Sequence, residues 1–546
     1  MSDETLPGRR FEVPDDIEAS ANIRELFALY GPVFRWAATL TAMLGAFATL
    51  LTGTIINVAI PDVMGALGMT SERAQWLSTG FLAATTVTML LAAWCVERIG
   101  MSRTYCLSML IFLAGSVLGG ISTNGDALII SRVIQGAGAG LMTPISMLIV
   151  FQVFPVRRRG TAMGIFSIGV VLAPALGPVL GGLLVDHLNW RYVFFMAVPF
   201  AMISIPLAMV FMPEREATAR SPRFDWTGAA LLSVFIVCLL VGLSNAPRDG
   251  WGDEGIARLF LAAATTGIAF LFWESRVTDP MFNLRLFANG RFLAAAIVTF
   301  VIGAGLFGST FYLPLFLQTV QGLTPTDAGL LLLPAGLIMA VFFPFAGWLS
   351  DRMSARRLIM FGVFLFGISS LLMARIDAYT PFFDLAMWTL LGRIGLSFIF
   401  PCLNAAAMRP LPLELLAQGS GMVNFLRQLG GAFGVNLLAI FFSQRAAFHA
   451  DGLTATQTAG NQVTLELIRM LSEIDLRTGL LPDPEMTGAL GFLSQMIWQQ
   501  ASMLAYRDLF LIIAVVFALC LIPAWFMDSR APNAQPRPAM RPAPAR

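Results

Sequence analysis

Apolar stretches of about 20 residues alternate with short polar loops along almost the whole chain. A helix needs roughly 20 apolar residues to cross a bilayer core of about 30 Å, because its backbone groups must be satisfied within the segment. Fourteen stretches meet this requirement, near residues 36–60, 74–96, 104–121, 126–151, 160–185, 192–212, 224–244, 256–274, 292–318, 327–350, 357–374, 381–405, 418–442 and 508–528. The pattern predicts an all-α integral membrane protein with fourteen transmembrane helices.

Three regions outside these spans have patterns of their own. Within the N-terminal segment 1–35, residues 15–30 predict an interfacial helix with apolar positions toward lipid. Residues 443–505 form the one sizeable loop and predict amphipathic helices over the outer face. The segment 529–546 is Pro-rich and basic, which is typical of disorder. The apolar positions concerned are Ile17, Ile23, Leu26, Phe27 and Tyr30 in the first region and Val463, Leu467, Leu471 and Ile474 in the second.

Composition supports the membrane class and excludes several chemistries. The 546 residues are 57% hydrophobic and 12% charged, whereas soluble proteins carry about 25% charge. The five cysteines lie in apolar runs without metal-ligand spacing, and the two histidines are too few for a histidine-built metal or haem site. All 35 basic residues are arginine, so no phosphate-binding loop with its lysine is present. We expect no metal, no cofactor and no enzymatic activity. Nor do we expect a nucleic-acid partner.

Arginine placement predicts the orientation. If both termini are cytoplasmic, the tails and inner loops carry 23 arginines and the short outer loops carry six. The positive-inside rule then favours cytoplasmic termini.

Two loops suggest an internal duplication. The loop after span 2 reads AWCVERIGMSR and the loop after span 10 reads GWLSDRMSARR, and both place an acid–arginine pair just past an apolar span. The two acids, Glu97 and Asp351, are 254 residues and eight spans apart. Duplication of a six-helix unit with two helices inserted between the copies would produce this spacing.

The chain resembles the major facilitator superfamily, and within it the 14-helix drug:proton antiporter family. The strings that carry the resemblance follow one another from span 1 to span 13: TIINVAIP (Thr54–Pro61), the Glu97 loop, RVIQGAGAG (Arg132–Gly140), the Gly-rich span 5, NWRYVFF (Asn189–Phe195), FDWTG (Phe224–Gly228), YLPLFLQ (Tyr312–Gln318), GLTPTDAGLLLLP (Gly322–Pro334) and NFLRQLGGAFG (Asn424–Gly434). The resemblance implies two six-helix bundles, 36–212 and 292–528, separated by an inserted unit, 213–291.

The chain departs from the family pattern most clearly in span 1. These antiporters usually carry an aspartate there, and this chain has Thr52-Gly53 instead, so span 1 contains no acid. Milder departures are Glu97 for the consensus Asp, Ala93 for the first glycine of the loop motif and Ala173 for the middle glycine of the span 5 motif.

Charged and polar residues within the spans are candidates for proton coupling or for the substrate cavity. A charge at membrane depth costs at least about 2.5–3.5 kcal/mol and therefore needs a partner or a wet cavity. The alternative for each arginine is a structural role, bonded to helix carbonyls or to neighbouring helices. The candidates are Arg132, Gln135, Thr54, Asn57, Arg393, Asn424, Arg427 and Gln428.

Acids near the span ends are candidates for the proton carrier. Asp62, at the outer end of span 1, is the leading candidate, followed by Asp186 beside His187 and by Asp384. Each is otherwise an ordinary solvated loop residue.

Two further sets are expected to control the alternation between conformations. Ionic clusters at the inner face would latch one conformation; the alternative is that their arginines only fix topology. These clusters are Glu97, Arg98 and Arg103 in the first half and Asp351, Arg352 and Arg356 in the second. Span 5 carries a motif similar to the family's antiporter motif, which marks exporters, at Gly164, Pro174, Gly177, Pro178, Gly181 and Gly182.

The resemblance implies a secondary transporter in the bacterial inner membrane that exports amphipathic toxic compounds in exchange for protons. It also implies a possible periplasmic adaptor and outer-membrane channel as partners. The missing acid of span 1 keeps open a metabolite exporter or facilitator without proton coupling. A membrane-embedded enzyme and a channel are the less favoured alternatives.

Overall fold

The computed structural model describes residues 21–214, 224–250, 252–278, 280–323, 325–458, 460–478 and 487–527. Fourteen of its helices are long and apolar enough to cross a membrane, which confirms the predicted number of spans. In chain order they are α1 (Val33–Leu67), α2 (Ser71–Ile99), α3 (Met101–Gly120), α4 (Gly125–Val153), α5 (Arg159–His187), α6 (Val198–Phe211, preceded by the short turn Tyr192–Phe195), α7 (Trp226–Asp249), α8 (Glu254–Glu274), α9 (Gly290–Thr319), α10 (Pro325–Arg352), α11 (Ala355–Met373), α12 (Phe382–Met408), α13 (Leu416–Ala455) and α14 (Thr487–Trp525).

Helix boundaries follow local sequence signals. The side chain of Asn124 accepts a hydrogen bond from the backbone N–H of Ala127 and caps the start of α4. The side chain of Asp253 accepts one from the backbone N–H of Ile256 and caps the start of α8. Gly68 ends α1 in the left-handed conformation, with φ of 60°. Such caps satisfy backbone groups that have no partner within the helix.

The helices form two bundles with the same packing plan. In the first half α1 packs on α4 and α5 while α4 packs on α2 and α3. In the second half α9 packs on α12 and α13 while α12 packs on α10 and α11. Each contact of the first half recurs eight helices later, as the repeated loops predict. The principal contacts between the halves are α5 with α10 and α2 with α13.

The inserted helices α7 and α8 pack on each other at the side of the bundles. α7 also contacts α2 of the first half and α13 of the second. The inserted pair therefore contacts both halves beside the contact between α2 and α13.

Two regions differ from the expected loop and interfacial helix. About half of 443–505 continues the neighbouring spans, because α13 runs to Ala455 and α14 begins at Thr487. The separate helix Gln462–Thr478 lies between them, as the amphipathic pattern predicts. Near the N-terminus, the helix Ala21–Tyr30 buries Ile23 and Phe27 in the protein core instead of presenting them to lipid. Ile17 and the tail 529–546 lie outside the described residues.

We call the end of the bundle where the odd-numbered helices begin the inner face, following the arginine distribution, and the other end the outer face. Close to the inner face α5 and α10 cross at glycines. A Cβ atom added at Gly164 would overlap the carbonyl oxygen of Phe343, and one added at Gly347 would overlap that of Gly160. Small residues at these positions let the two backbones touch.

Gly164→Val should lower the midpoint of thermal unfolding of the purified protein, because overpacking a tight contact costs about 1–3 kcal/mol. The matched control is Gly182→Val on the same helix, where an added Cβ meets nothing within 4 Å. Equal melting of Gly164→Val and the control would contradict a tight crossing.

Candidate transport site

The guanidinium of Arg132 lies inside the first half and is fully buried. Its Nε donates to the carbonyl of Leu77 at 2.9 Å and its Nη1 donates to Oε1 of Gln135 at 2.6 Å and to the carbonyl of Thr52 at 3.4 Å. Gln135 is one turn further along α4 and donates in turn to Ser116 Oγ on α3 at 2.7 Å. The arginine side chain therefore joins α1, α2, α3 and α4.

The charge of Arg132 has no acid among its recorded hydrogen-bond partners. The face of the ring of Phe81 lies 4.2 Å from the guanidinium carbon, which adds a cation–π contact. Within the described residues Nη2 finds no acceptor. The carbonyl that Arg132 reaches on α1 belongs to Thr52, one of the two residues that stand where the family usually has its aspartate. Backbone oxygens and an aromatic ring thus take the place of a carboxylate.

The other candidates on α1 lie toward the outer face. Thr54 Oγ1 donates to the carbonyl of Leu51 within its own helix. Asn57 is exposed and accepts a hydrogen bond from Ser78 on α2 at 3.0 Å. Asp62 is exposed, five residues before the end of α1 at Leu67. In the part of the chain that the structure describes, none of these three side chains hydrogen-bonds to the Arg132 network.

A small cavity lies between the two halves, with room for about one water molecule. Arg427 donates to Asn424 Oδ1, and its guanidinium carbon lies 5.6 Å from the ring of Phe400. Asn424 Nδ2 contacts the sulfur of Met147 at 3.5 Å across the boundary between the halves. The cavity is lined by Thr143, Met147, Phe166, Ser167, Val170, Val171, Phe343, Phe400, Asn404, Asn424 and Arg427. Gln428 is half-buried beside Arg427.

Arg393 does not line the cavity between the halves, where its grouping with Arg427 would place it. It is buried within the second half, and its Nη2 donates to Thr310 Oγ1 on α9 at 3.0 Å. Serine side chains, including Ser369 and Ser370, line the small space around it. Arg393 and Arg132 each lie on the fourth helix of their own half and bond to neighbours within it.

The carboxylate of Asp351 joins the halves at the inner face. Its oxygens accept hydrogen bonds from the backbone N–H groups of Gly160 and Thr161, both at 2.8 Å, and from Thr161 Oγ1 at 2.6 Å. These donors form the first turn of α5, where the helix dipole favours a negative charge. Ser420 Oγ adds a second cross-half bond, to the carbonyl of Pro144 at 2.8 Å. The structure is therefore closed at the inner face.

The expected ion-pair cluster in the second half has a different arrangement. Arg352 lies over the ring of Trp348 at 3.9 Å, and Arg356 lies over Trp525 at 4.6 Å and donates to its carbonyl. Asp351 turns toward the other half, because a helix N-terminus there offers it three donors. In the first half Glu97 is half-buried while Arg98 and Arg103 are exposed.

The glycines of the span 5 motif pack against α1 and α10. Gly164 lies at the α10 crossing described above, whereas a Cβ added at Gly177 would overlap Thr54 Oγ1 and one at Gly181 would lie 2.9 Å from Ile55. Gly182 faces open space. Pro174 is half-buried in the same helix, and the side chains of Pro178 and Asp186 are outside what the structure describes. His187 and Asp384 are exposed.

Several partners in these networks escaped the sequence reasoning. The environment of Arg132 includes Phe81 and the carbonyl of Leu77, and Ser116 accepts from its partner Gln135. Thr161 donates hydrogen bonds to the carboxylate of Asp351. Ser116 carries a weak signal, as a polar residue inside an apolar span. Thr161 and the backbone groups carry none, because their roles depend on which helices become neighbours.

The sequence profile of the Major Facilitator Superfamily matches residues 42–435, so the chain belongs to this superfamily. The match runs from α1 through the inserted helices into α13.

Curated relatives match over most of the chain. The uncharacterized MFS-type transporter YhcA of Bacillus subtilis is 31% identical over 407 residues, covering 74% of this chain and 76% of that protein. The multidrug export protein EmrB of Haemophilus influenzae is 29% identical over 490 residues, covering 89% and 94%. Among solved structures, the human organic anion transporter MFSD10 (TETRAN) matches with a TM-score of 0.57 and 15% identity, covering 88% and 99%. That likeness concerns the fold alone.

Asp351→Asn should weaken the closure of the inner face, because an amide NH₂ replaces one oxygen that accepts from the α5 N-terminus. Losing charge-assisted hydrogen bonds costs about 1.5–3 kcal/mol, roughly tenfold or more in the closed population. Spin labels at the exposed positions 157 and 357, in a background without the native cysteines, should report longer distances in this variant. Asp384→Asn, at an exposed acid of the same half, is the control. Unchanged distances in Asp351→Asn would contradict the latch.

Proposed function

We propose that this protein is a secondary active transporter that exports amphipathic toxic compounds by proton antiport. The observation that carries the proposal is the arrangement of two equivalent bundles closed at the inner face around a cavity between them. Bundles that rock about such a centre expose it to one side at a time. Similarity to the multidrug export protein EmrB over most of both chains supports the substrate class.

The lining of the cavity suits greasy substrates of varied shape. Phe166, Phe343, Phe400 and Met147 provide aromatic and thioether surfaces, and methionine adapts to different ligand shapes. Asn424, Asn404 and Arg427 supply the polar contacts. In a state with the halves further apart, these residues would bind the substrate.

The Arg132 network is the proposed element that responds to the proton. A buried arginine held by carbonyls and by Gln135 joins four helices, so a movement of α1, which also carries Asp62, would alter their packing. With no acid in the span 36–60, Asp62 in the outer part of α1 is the proposed carrier. The alternative function, a facilitator without proton coupling, follows from the same absence.

We propose that both termini are cytoplasmic and that the membrane is the bacterial inner membrane. The arginine excess on the inner face supports this orientation. In an envelope with two membranes, a periplasmic adaptor and an outer-membrane channel are proposed partners. The outer extensions of α13 and α14 and the exposed apolar residues Val463 and Met470 offer a surface for such an adaptor.

The proposal is tested with inside-out membrane vesicles that carry the protein and are acidified internally. A panel of lipophilic cations, anions and neutral toxins is added while the internal pH is followed. Substrate-dependent collapse of the pH gradient, absent from protein-free vesicles, is expected. Flux of labelled compound without collapse would favour the facilitator, and no flux with any compound would contradict export.

Arg132→Ala should abolish this substrate-dependent collapse while the protein still reaches the membrane, because four helices lose their common hydrogen-bond partner. Arg73→Ala is the matched control, since Arg73 is an exposed arginine of the same half that pairs with Asp126 at the surface. Near-normal collapse in Arg132→Ala would show that proton-coupled transport does not need the Arg132 network.

Asp62→Asn should leave flux of labelled compound measurable but remove its link to the pH gradient, because an amide cannot carry the proton. Asp384→Asn, also exposed near the outer face, should behave like the wild type. Preserved coupling in Asp62→Asn would place the carrier elsewhere.

A further inference from the structure

The inserted helices bring two acids together at the inner face, at the string FDWTG that the transport site does not use. Asp225 precedes α7, and its Oδ1 accepts from the backbone N–H of Gly228 at 2.8 Å, which begins the helix. The same oxygen accepts from the indole Nε1 of Trp273 on α8 at 2.8 Å. Asp225 therefore caps one inserted helix and bonds to the other.

Glu274 ends α8 directly beside this cap. Its Oε2 accepts from the backbone N–H of Phe282 at 3.2 Å, in the segment that leads to the second half. The exposed fraction is 3% for Glu274 and 8% for Asp225. Both carboxyl groups are thus removed from solvent.

The second oxygen of each acid has no donor among the described residues. Asp225 Oδ2 and Glu274 Oε1 are both fully buried and without a hydrogen-bond partner. A Cβ atom added at Gly228 would overlap Asp225 Oδ2 and lie 3.0 Å from Glu274 Oε1. The two unpartnered oxygens therefore face the same small space above Gly228.

Aromatic side chains surround the pair. The ring of Phe224 packs on Trp94 of α2 at 4.7 Å between centroids, and Phe282 packs on Phe425 of α13 at 5.9 Å. The surroundings are apolar and touch both halves.

Charged groups on the packed elements lie at their ends or further along them. α2 ends with Glu97 and Arg98, and Arg276 follows Glu274 with its guanidinium over the ring of Phe272 at 4.0 Å. Glu414 precedes α13, whose first arginine is Arg427, more than two turns into the helix. Among the described residues, the donors to the two acids are backbone N–H groups and the indole of Trp273, and none of these charged side chains is one of them.

We propose that Asp225 and Glu274 form a binding site for a single proton, held between their facing oxygens as a carboxylic acid hydrogen-bonded to a carboxylate. Two ionised carboxylates that face the same small apolar space would repel each other, so one of them retains its proton. That proton is the missing hydrogen-bond donor, and it satisfies both buried oxygens at once.

The unequal surroundings of the two acids place the proton on Glu274. Asp225 receives two strong donors on Oδ1 and lies at a helix N-terminus, and both features favour its ionised form. Glu274 receives only backbone donors, from Met281 and, at 3.2 Å, from Phe282, and lies at a helix C-terminus, which disfavours a negative charge. Glu274 Oε1 thus donates to Asp225 Oδ2. The inference stands on this geometry and does not depend on the proposed export function.

Infrared spectroscopy of the purified full-length protein tests the proposal directly. A protonated carboxyl gives a C=O stretching band that shifts in D₂O and disappears when the group ionises. We expect such a band in the wild type at pH 7 and its loss in Glu274→Gln. The control is Glu254→Gln at the other end of the same helix, where the glutamate is exposed and pairs with Arg258; its band should match that of the wild type.

The role of Asp225 is read from the pH at which the band disappears. Removing its negative charge in Asp225→Asn should move that midpoint down by about one pH unit or more. An unchanged midpoint would show that burial alone keeps Glu274 protonated and would overturn the shared site.

Two further results would also overturn the proposal, and both use the wild-type protein, so they do not depend on a variant that folds. One is the absence of any D₂O-sensitive carboxyl band at pH 7. The other is loss of the band at constant pH when Na⁺ or Ca²⁺ is added to cation-free protein, which would assign the facing oxygens to a metal cation.

Discussion

The architecture depends on one constraint, the lack of water in the hydrocarbon layer to satisfy buried charges and backbone groups. Arg132 meets it by bonding to carbonyls of α1 and α2 and to Gln135, which anchors Ser116 of α3. Each satisfied bond fixes the relative position of two helices. The same constraint operates between the halves, where the carboxylate of Asp351 bonds to the free N–H groups that begin α5. Because apolar burial supplies no driving force between helices in lipid, these polar bonds join the helices together with van der Waals packing.

These junctions differ in how easily they can be broken. The Arg132 network lies wholly inside one half and moves with it as a unit. The closure at the inner face depends on few hydrogen bonds, from Asp351 and Ser420, and on the contact between glycine backbones of α5 and α10. A small number of bonds at a water-accessible end can be exchanged for bonds to water when the halves separate. A rocking mechanism requires halves that move as rigid units and contacts between them that can break and re-form.

The sequence predicted the number and order of the spans, because fourteen separate runs of apolar residues leave little choice in a bilayer. It also identified Arg132 and Arg427 as charges that need partners and Asp351 as part of a latch at the inner face. It did not identify those partners, since carbonyls such as that of Leu77 and donors such as Thr161 are common to every helix. The extent of α13 and α14 was missed for another reason: their outer turns are polar enough to look like a loop. The pairing of Asp225 with Glu274 required knowing that the two inserted helices lie side by side.

The extensions of α13 and α14 have a mechanical consequence. With 40 and 39 residues, each helix is about 60 Å long at a rise of 1.5 Å per residue, twice the thickness of the hydrocarbon core. The surplus stands beyond the outer face and is continuous with the second half. A continuous helix transmits tilt without a joint, so a small rotation of that half within the bilayer becomes a larger sideways sweep at the outer tip. The position of the outer ends of α13 and α14 therefore depends on the orientation of the second half.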